Sequence, residues 1–227
     1  MHRSFTWQPQ WLTLFVALLC YPILGQSQTR PTIDVQEWPT GEVVLTTGET
    51  MTGALSYHQN EEVVQVRQPD GAISTFSPVN VVYFTASDFE GGPNKLFRAY
   101  DWNLGKEYSD FKKPTFFEQL NEGKLTLIMR EEYVQQDVSR TGLNPGYSGY
   151  YPYGYPAGSN WVMQVKEVYF VLLPNGDIRQ LRNVRRDLQQ LFGKKWDQVK
   201  SFIKMNKLDY DQPHHMIAII NFYNSLP

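Results

Sequence analysis

The chain has few groups suited to covalent chemistry. Its 227 residues include one cysteine, Cys20, and four histidines, His2, His58, His214 and His215. A lone thiol excludes a disulfide scaffold. The G-x-S-x-G and H-E-x-x-H patterns are absent, and Gly146-Tyr147-Ser148-Gly149 has the wrong spacing for a nucleophile elbow. A Ser-His-Asp triad would have to draw on His58, His214 or His215. Charge is sparse at 19% of residues, and the formal net charge of −2 argues against a globally basic nucleic-acid binder. The N-x-[ST] glycosylation acceptor is missing, which favours a bacterial envelope over a eukaryotic secretory route. Hydrophobic residues make up 41% and aromatics 15%, including 14 Tyr, 13 Phe and 6 Trp. That content is enough for a real core and excludes disordered and collagen-like chains.

The N-terminus reads as an export signal. Arg3 is the only fixed positive side chain before an apolar run from Trp11 to Leu24, broken by Thr13 and Pro22. The run falls short of the ~20 residues a bilayer span needs. Gly25-Gln26-Ser27 then offers small residues to a peptidase. The pattern predicts a signal peptide over residues 1–25, cut after Gly25 or Ser27, and a secreted or periplasmic protein. Ala17-Leu18-Leu19 precedes Cys20, so the small residue that bacterial lipidation requires before cysteine is missing. The mature chain is then free of cysteine.

Residues 30–90 alternate as short strands. Glu42 to Leu45, Met51 to Tyr57, Val63 to Arg67, Ala72 to Phe76 and Val79 to Phe84 are separated by polar turns, one of them Pro69-Asp70-Gly71. Five such strands predict a small β-barrel or a curled sheet. The segment Gly48 to Tyr57 (GETMTGALSY) resembles the first motif of Sm-like and SH3-like small barrels, where two glycines let a strand bend. The Sm family reads RNA with an Asp-x-Asn loop. Tyr57-His58-Gln59-Asn60 stands there instead, so RNA binding does not carry over and nucleic acid is not expected as a partner.

A second antiparallel sheet is predicted over 91–182. Phe97 to Trp102, Thr115 to Leu120, Lys124 to Val134 and Val162 to Leu173 read as strands, and Asn175-Gly176 turns the last of these into Ile178 to Leu181. From 183 to 227 the periodicity is helical. Asn183 is a candidate N-cap ahead of Val184, Leu188, Leu191 and Phe192, and Gly193 is a candidate stop. Trp196, Val199, Phe202 and Ile203 define a second helix. Met216, Ile217, Ile220 and Tyr223 define a third, opened by Asp211 and Pro213. The expected class is α+β with a C-terminal three-helix unit.

The order of these phrases resembles a group of uncharacterised exported proteins of Bacteroidota-type bacteria. A signal peptide precedes a β-region ending in FSPVNVVYF (Phe76 to Phe84), then an Asn-Gly hairpin and a tail containing VRRDL, FIK and NKL. These are structural phrases, so the resemblance implies export and a fold but no activity.

Two stretches stand out as candidate surfaces. Residues 145–160 (PGYSGYYPYGYPAGSN) hold Tyr147, Tyr150, Tyr151, Tyr153 and Tyr155 ahead of Trp161, an amphipathic composition suited to a protein or glycan partner. Residues 179–207 hold nine basic and two acidic side chains, whereas 26–178 hold eleven and nineteen. Arg182, Arg185, Arg186, Lys194 and Lys195 head that basic stretch, which suits an anionic membrane surface. His214 and His215, near Asp209 and Asp211, are metal-capable types. Neighbours on a helix are ~100° apart, however, so the two rings should diverge and no metal or cofactor is expected. Glu61-Glu62 lies in a turn and Glu131-Glu132 at a strand end; neighbours in strands face opposite ways, so such pairs make poor acid/base dyads. The expectation is a non-enzymatic envelope protein that binds or scaffolds. A hydrolase of envelope polymers or a small-ligand sensor is the alternative.

Overall fold

The computed structural model describes residues 34–106, 110–137 and 161–227. Ten antiparallel strands form one sheet in the order β10-β9-β8-β7-β6-β5-β1-β2-β3-β4. They are β1 (Val35–Leu45), β2 (Thr50–His58), β3 (Val63–Arg67), β4 (Ile73–Phe76), β5 (Val81–Ser87), β6 (Lys95–Trp102), β7 (Lys113–Gln119), β8 (Thr126–Asp137), β9 (Trp161–Leu172) and β10 (Ile178–Gln180). The five strands expected over 30–90 are present, but no ladder closes them into a barrel. β5 pairs on one side with β1 and on the other with β6, so the sheet runs on through β10 instead of starting a second sheet.

Alternation drives the curl. β2 buries Leu55 and Tyr57, β3 buries Val64 and Val66, and β5 buries Phe84 and Ala86. With Trp38, Phe97 and Phe116 these fill the concave side, where Phe84 stacks on Phe97 at 4.5 Å and Tyr57 meets Phe116 edge-on at 5.7 Å. Glycine permits the tight bend. Gly41 of β1 lies directly opposite Gly53 of β2, and a Cβ on Gly53 would strike the Arg67 carbonyl oxygen of β3. Gly48, the other glycine of the expected bending pair, sits in the β1–β2 turn with φ +88°.

The helices cover the sheet beyond this core. They are α1 (Val184–Phe192), α2 (Trp196–Met205) and α3 (Pro213–Ser225). Asn183 caps α1 as expected: its side chain accepts from Arg186 N, and Asp187 accepts from Asn183 N in return. Gly193 ends α1 as expected, as its C-cap at φ +51°, but a 3-10 turn over Gly193–Lys195 leads straight into α2. The expected three-helix unit is therefore one jointed helix followed by a C-terminal helix. Leu188, Phe192, Trp196, Val199, Ile203, Met216, Ile219 and Ile220 pack on Leu127, Met129, Tyr169 and Val171 of the sheet. Among the described residues no helix is long and apolar enough to cross a membrane.

Candidate functional site

β7 and β8 hold together by very little. Only Glu118↔Met129 and Gln119↔Ile128 pair across them, followed by a bond from Leu120 N to Leu127 O. Beyond these the strands part, and Phe116 would be left with an open N–H and carbonyl. The β2–β3 turn fills the gap. Glu62, at φ +55° and 6% exposed, accepts from Phe116 N at 3.0 Å, from the Tyr57 hydroxyl at 3.1 Å and from Arg130 at 2.7 Å. Arg130 donates its other amine to Phe116 O at 2.7 Å and lies over the Phe117 and Trp102 rings. A buried ion pair thus replaces a stretch of backbone ladder. It also ties the curled end of the sheet to β8, five strands away in sheet order. Burial pushes the Tyr57 hydroxyl well above the ordinary phenol range, against the pull of Arg130.

Beside this clamp runs an acidic seam. Glu118 of β7, Glu131 of β8 and Glu167 of β9 share the face that carries both the aromatic core and the helices, because Glu118 opposes Met129 and Glu131 opposes Glu167. Like charges directly across an antiparallel pair repel. Burial pushes Glu118 up to about 7, Lys95 pulls it back, and Glu131, Glu167 and Asp88 push it further up. Glu131 is raised for the same reasons, although Gln36 donates to its carboxylate at 2.9 Å. Glu167 accepts from the Tyr169 hydroxyl at 2.7 Å. Burial and that bond raise Tyr169 well above the phenol range. Gln59 donates to the Glu131 carbonyl, and its buried Oε1 has no partner among the described residues. Gln59 and Glu118 line the same cavity of about 10 Å³, room for one water. A wider groove of about 570 Å³ lies elsewhere, between Val79, Val82, Tyr100, Pro114 and Leu172.

The residues singled out from sequence scatter. Tyr147, Tyr150, Tyr151, Tyr153 and Tyr155 lie outside the described residues. Trp161 opens β9 opposite Asp137. Here β8 and β9 continue as a two-stranded ribbon for several residue pairs past Met129, the last β8 residue laddered to β7. Arg182, Arg185, Arg186 and Lys194 are exposed. Lys195 is half-buried, donates to Leu226 O at 3.0 Å and sits over the Tyr223 ring, so it ties down the C-terminus. His214 and His215 do not diverge: their rings are 4.2 Å apart, and His215 Nδ1 accepts from Asp209 N. Among the described residues no three His, Cys, Asp or Glu side chains gather as a metal set. Of the adjacent carboxylates in the β2–β3 turn, Glu62 is buried and Glu61 exposed. The cross-strand row of Glu118, Glu131 and Glu167 went unseen. Its one local signal is a charge at an inward position between Phe116 and Leu120.

Comparison with family models, curated proteins and solved structures finds no match to this chain.

Proposed function

We propose that the protein is an exported, non-enzymatic binding module of the cell envelope, whose β8–β9 ribbon presents the Tyr-rich segment 145–160 to a protein or glycan partner. The observation that carries this reading is the ribbon. Its strands stay paired from Thr126↔Leu172 to Asp137↔Trp161 and run ~26 Å past the last pair shared with β7. The residues joining them, 138–160, contain five tyrosines. The signal-like N-terminus supports export. The experiment is contact mapping in the cell from a photo-reactive amino acid placed at Tyr153, with a discrete cross-linked partner as the expected result.

A further inference from the structure

The outer side of the helical layer carries cations that the described structure leaves unneutralised. α1 and α2 turn Leu188, Phe192, Trp196, Val199 and Ile203 toward the sheet; at ~100° per residue Arg186 and Met205 then face away from it, and Arg185, Lys200 and Lys204 stand along the flanks of the buried faces. All four cations are exposed, as is Lys207, and none has an ion-pair partner among the described residues. The acidic body therefore does not take up these charges internally. Few acids stand among them. Asp187 accepts from Asn183 N, Asp197 is exposed on α2, and Asp209 and Asp211 lie in the turn before α3, which has no acidic residue.

Two further features point outward. Met205 is 77% exposed, the most exposed large hydrophobic side chain among the described residues, and it sits between Lys204 and Lys207. Lys207 itself adopts φ +51°, a helix-end conformation that favours glycine. A long cation stands there against local backbone preference.

We propose that this side of the helical layer docks the protein on an anionic phospholipid membrane surface. Arg185, Arg186, Lys200, Lys204 and Lys207 face the headgroups, and Met205 enters the interface. The choice of occupant follows from charge. Segment 179–207 holds nine basic and two acidic side chains against eleven and nineteen in 26–178, so an anionic surface attracts this layer and repels the remainder. A folded protein partner would want an apolar patch, and on the helices the only large hydrophobic side chain so exposed, among the described residues, is Met205.

The test is co-sedimentation of the full chain with phosphatidylcholine vesicles that contain or lack phosphatidylglycerol. The variants below carry the same apolar run at 11–24 as the parent chain, so comparing them with it cancels what the run contributes. Binding should be at least ~10-fold tighter with phosphatidylglycerol. It should disappear near 1 M salt, where screening acts within ~3 Å. Lys200→Glu with Lys204→Glu should weaken binding by about 25-fold or more, at about fivefold per cation. Lys207→Gly should weaken it about fivefold while the thermal midpoint rises, because glycine suits that backbone; a folding defect is thereby separated from a docking defect. Equal binding to both vesicles, or phosphatidylglycerol binding unmoved by these variants, would overturn the proposal.

Discussion

Replacing Glu62 by glutamine nearly preserves volume and removes one charge from the β7–β8 gap. The native carboxylate accepts from Tyr57, Phe116 N and Arg130. Glutamine offers one acceptor oxygen and turns two N–H donors toward groups that are themselves donors. Arg130, whose side chain is 11% exposed, would keep its charge with no anion beside it. Removing one partner of a buried pair costs about 3–5 kcal/mol. For a chain of this size each kcal/mol moves the midpoint by about 2–4 °C, so Glu62→Gln should lower it by roughly 6–20 °C. Arg130→Met should cost a similar amount by leaving Phe116 O without a donor and the buried Glu62 carboxylate without its cation. The double variant should be less destabilised than the two singles together by about 2 kcal/mol, since the second change removes the orphaned charge. Thermal unfolding followed by circular dichroism reads all three, and hydrogen exchange at the Phe116 amide localises the effect. A Glu62→Gln loss below about 1 kcal/mol, or strictly additive singles, would refute the clamp.

The acidic seam should write itself into the pH dependence of stability. The folded-state value of Glu118 is raised to about 7 from an ordinary 4.5, so its contribution is fully present below pH 4.5 and is lost as pH rises through 7. The swing is on the order of 3 kcal/mol. Glu118→Gln should flatten that part of the profile and raise the midpoint at pH 8; an unchanged profile would count against a protonated Glu118. Gly53→Ala should destabilise by about 1–3 kcal/mol, because the new methyl meets the Arg67 carbonyl of β3 and not a movable side chain. A neutral Gly53→Ala in chemical denaturation would mean that β2 and β3 are less closely apposed than described.

Local pattern made the elements legible. Alternation placed the strands, as at Val63 to Arg67 and Val162 to Leu173. Asn175-Gly176 marked the turn before β10, and Asn183 marked the start of α1. What stayed hidden depends on register and on long-range closure. No local feature says that β5 pairs with β6 instead of closing a barrel, nor that Glu62 reaches Arg130 across 68 residues. The glutamate row exists only because Glu118 meets Met129 and Glu131 meets Glu167, and a one-residue slip would send it to the other face. Gly193 was legible as a helix end, but its role as a joint was not, since the residues after it resume a helix through a 3-10 turn.

The most direct measurement of function is photo-cross-linking in the producing cell from position Tyr153, with position Val82 on the exposed face of β5 as the control. A binding module should give a discrete adduct with an envelope component from Tyr153 and none from Val82. That adduct should vanish when Tyr147, Tyr150, Tyr151 and Tyr155 are all serine. No adduct from Tyr153, or the same adducts from both positions, would contradict the assignment of the Tyr-rich segment as the contact surface.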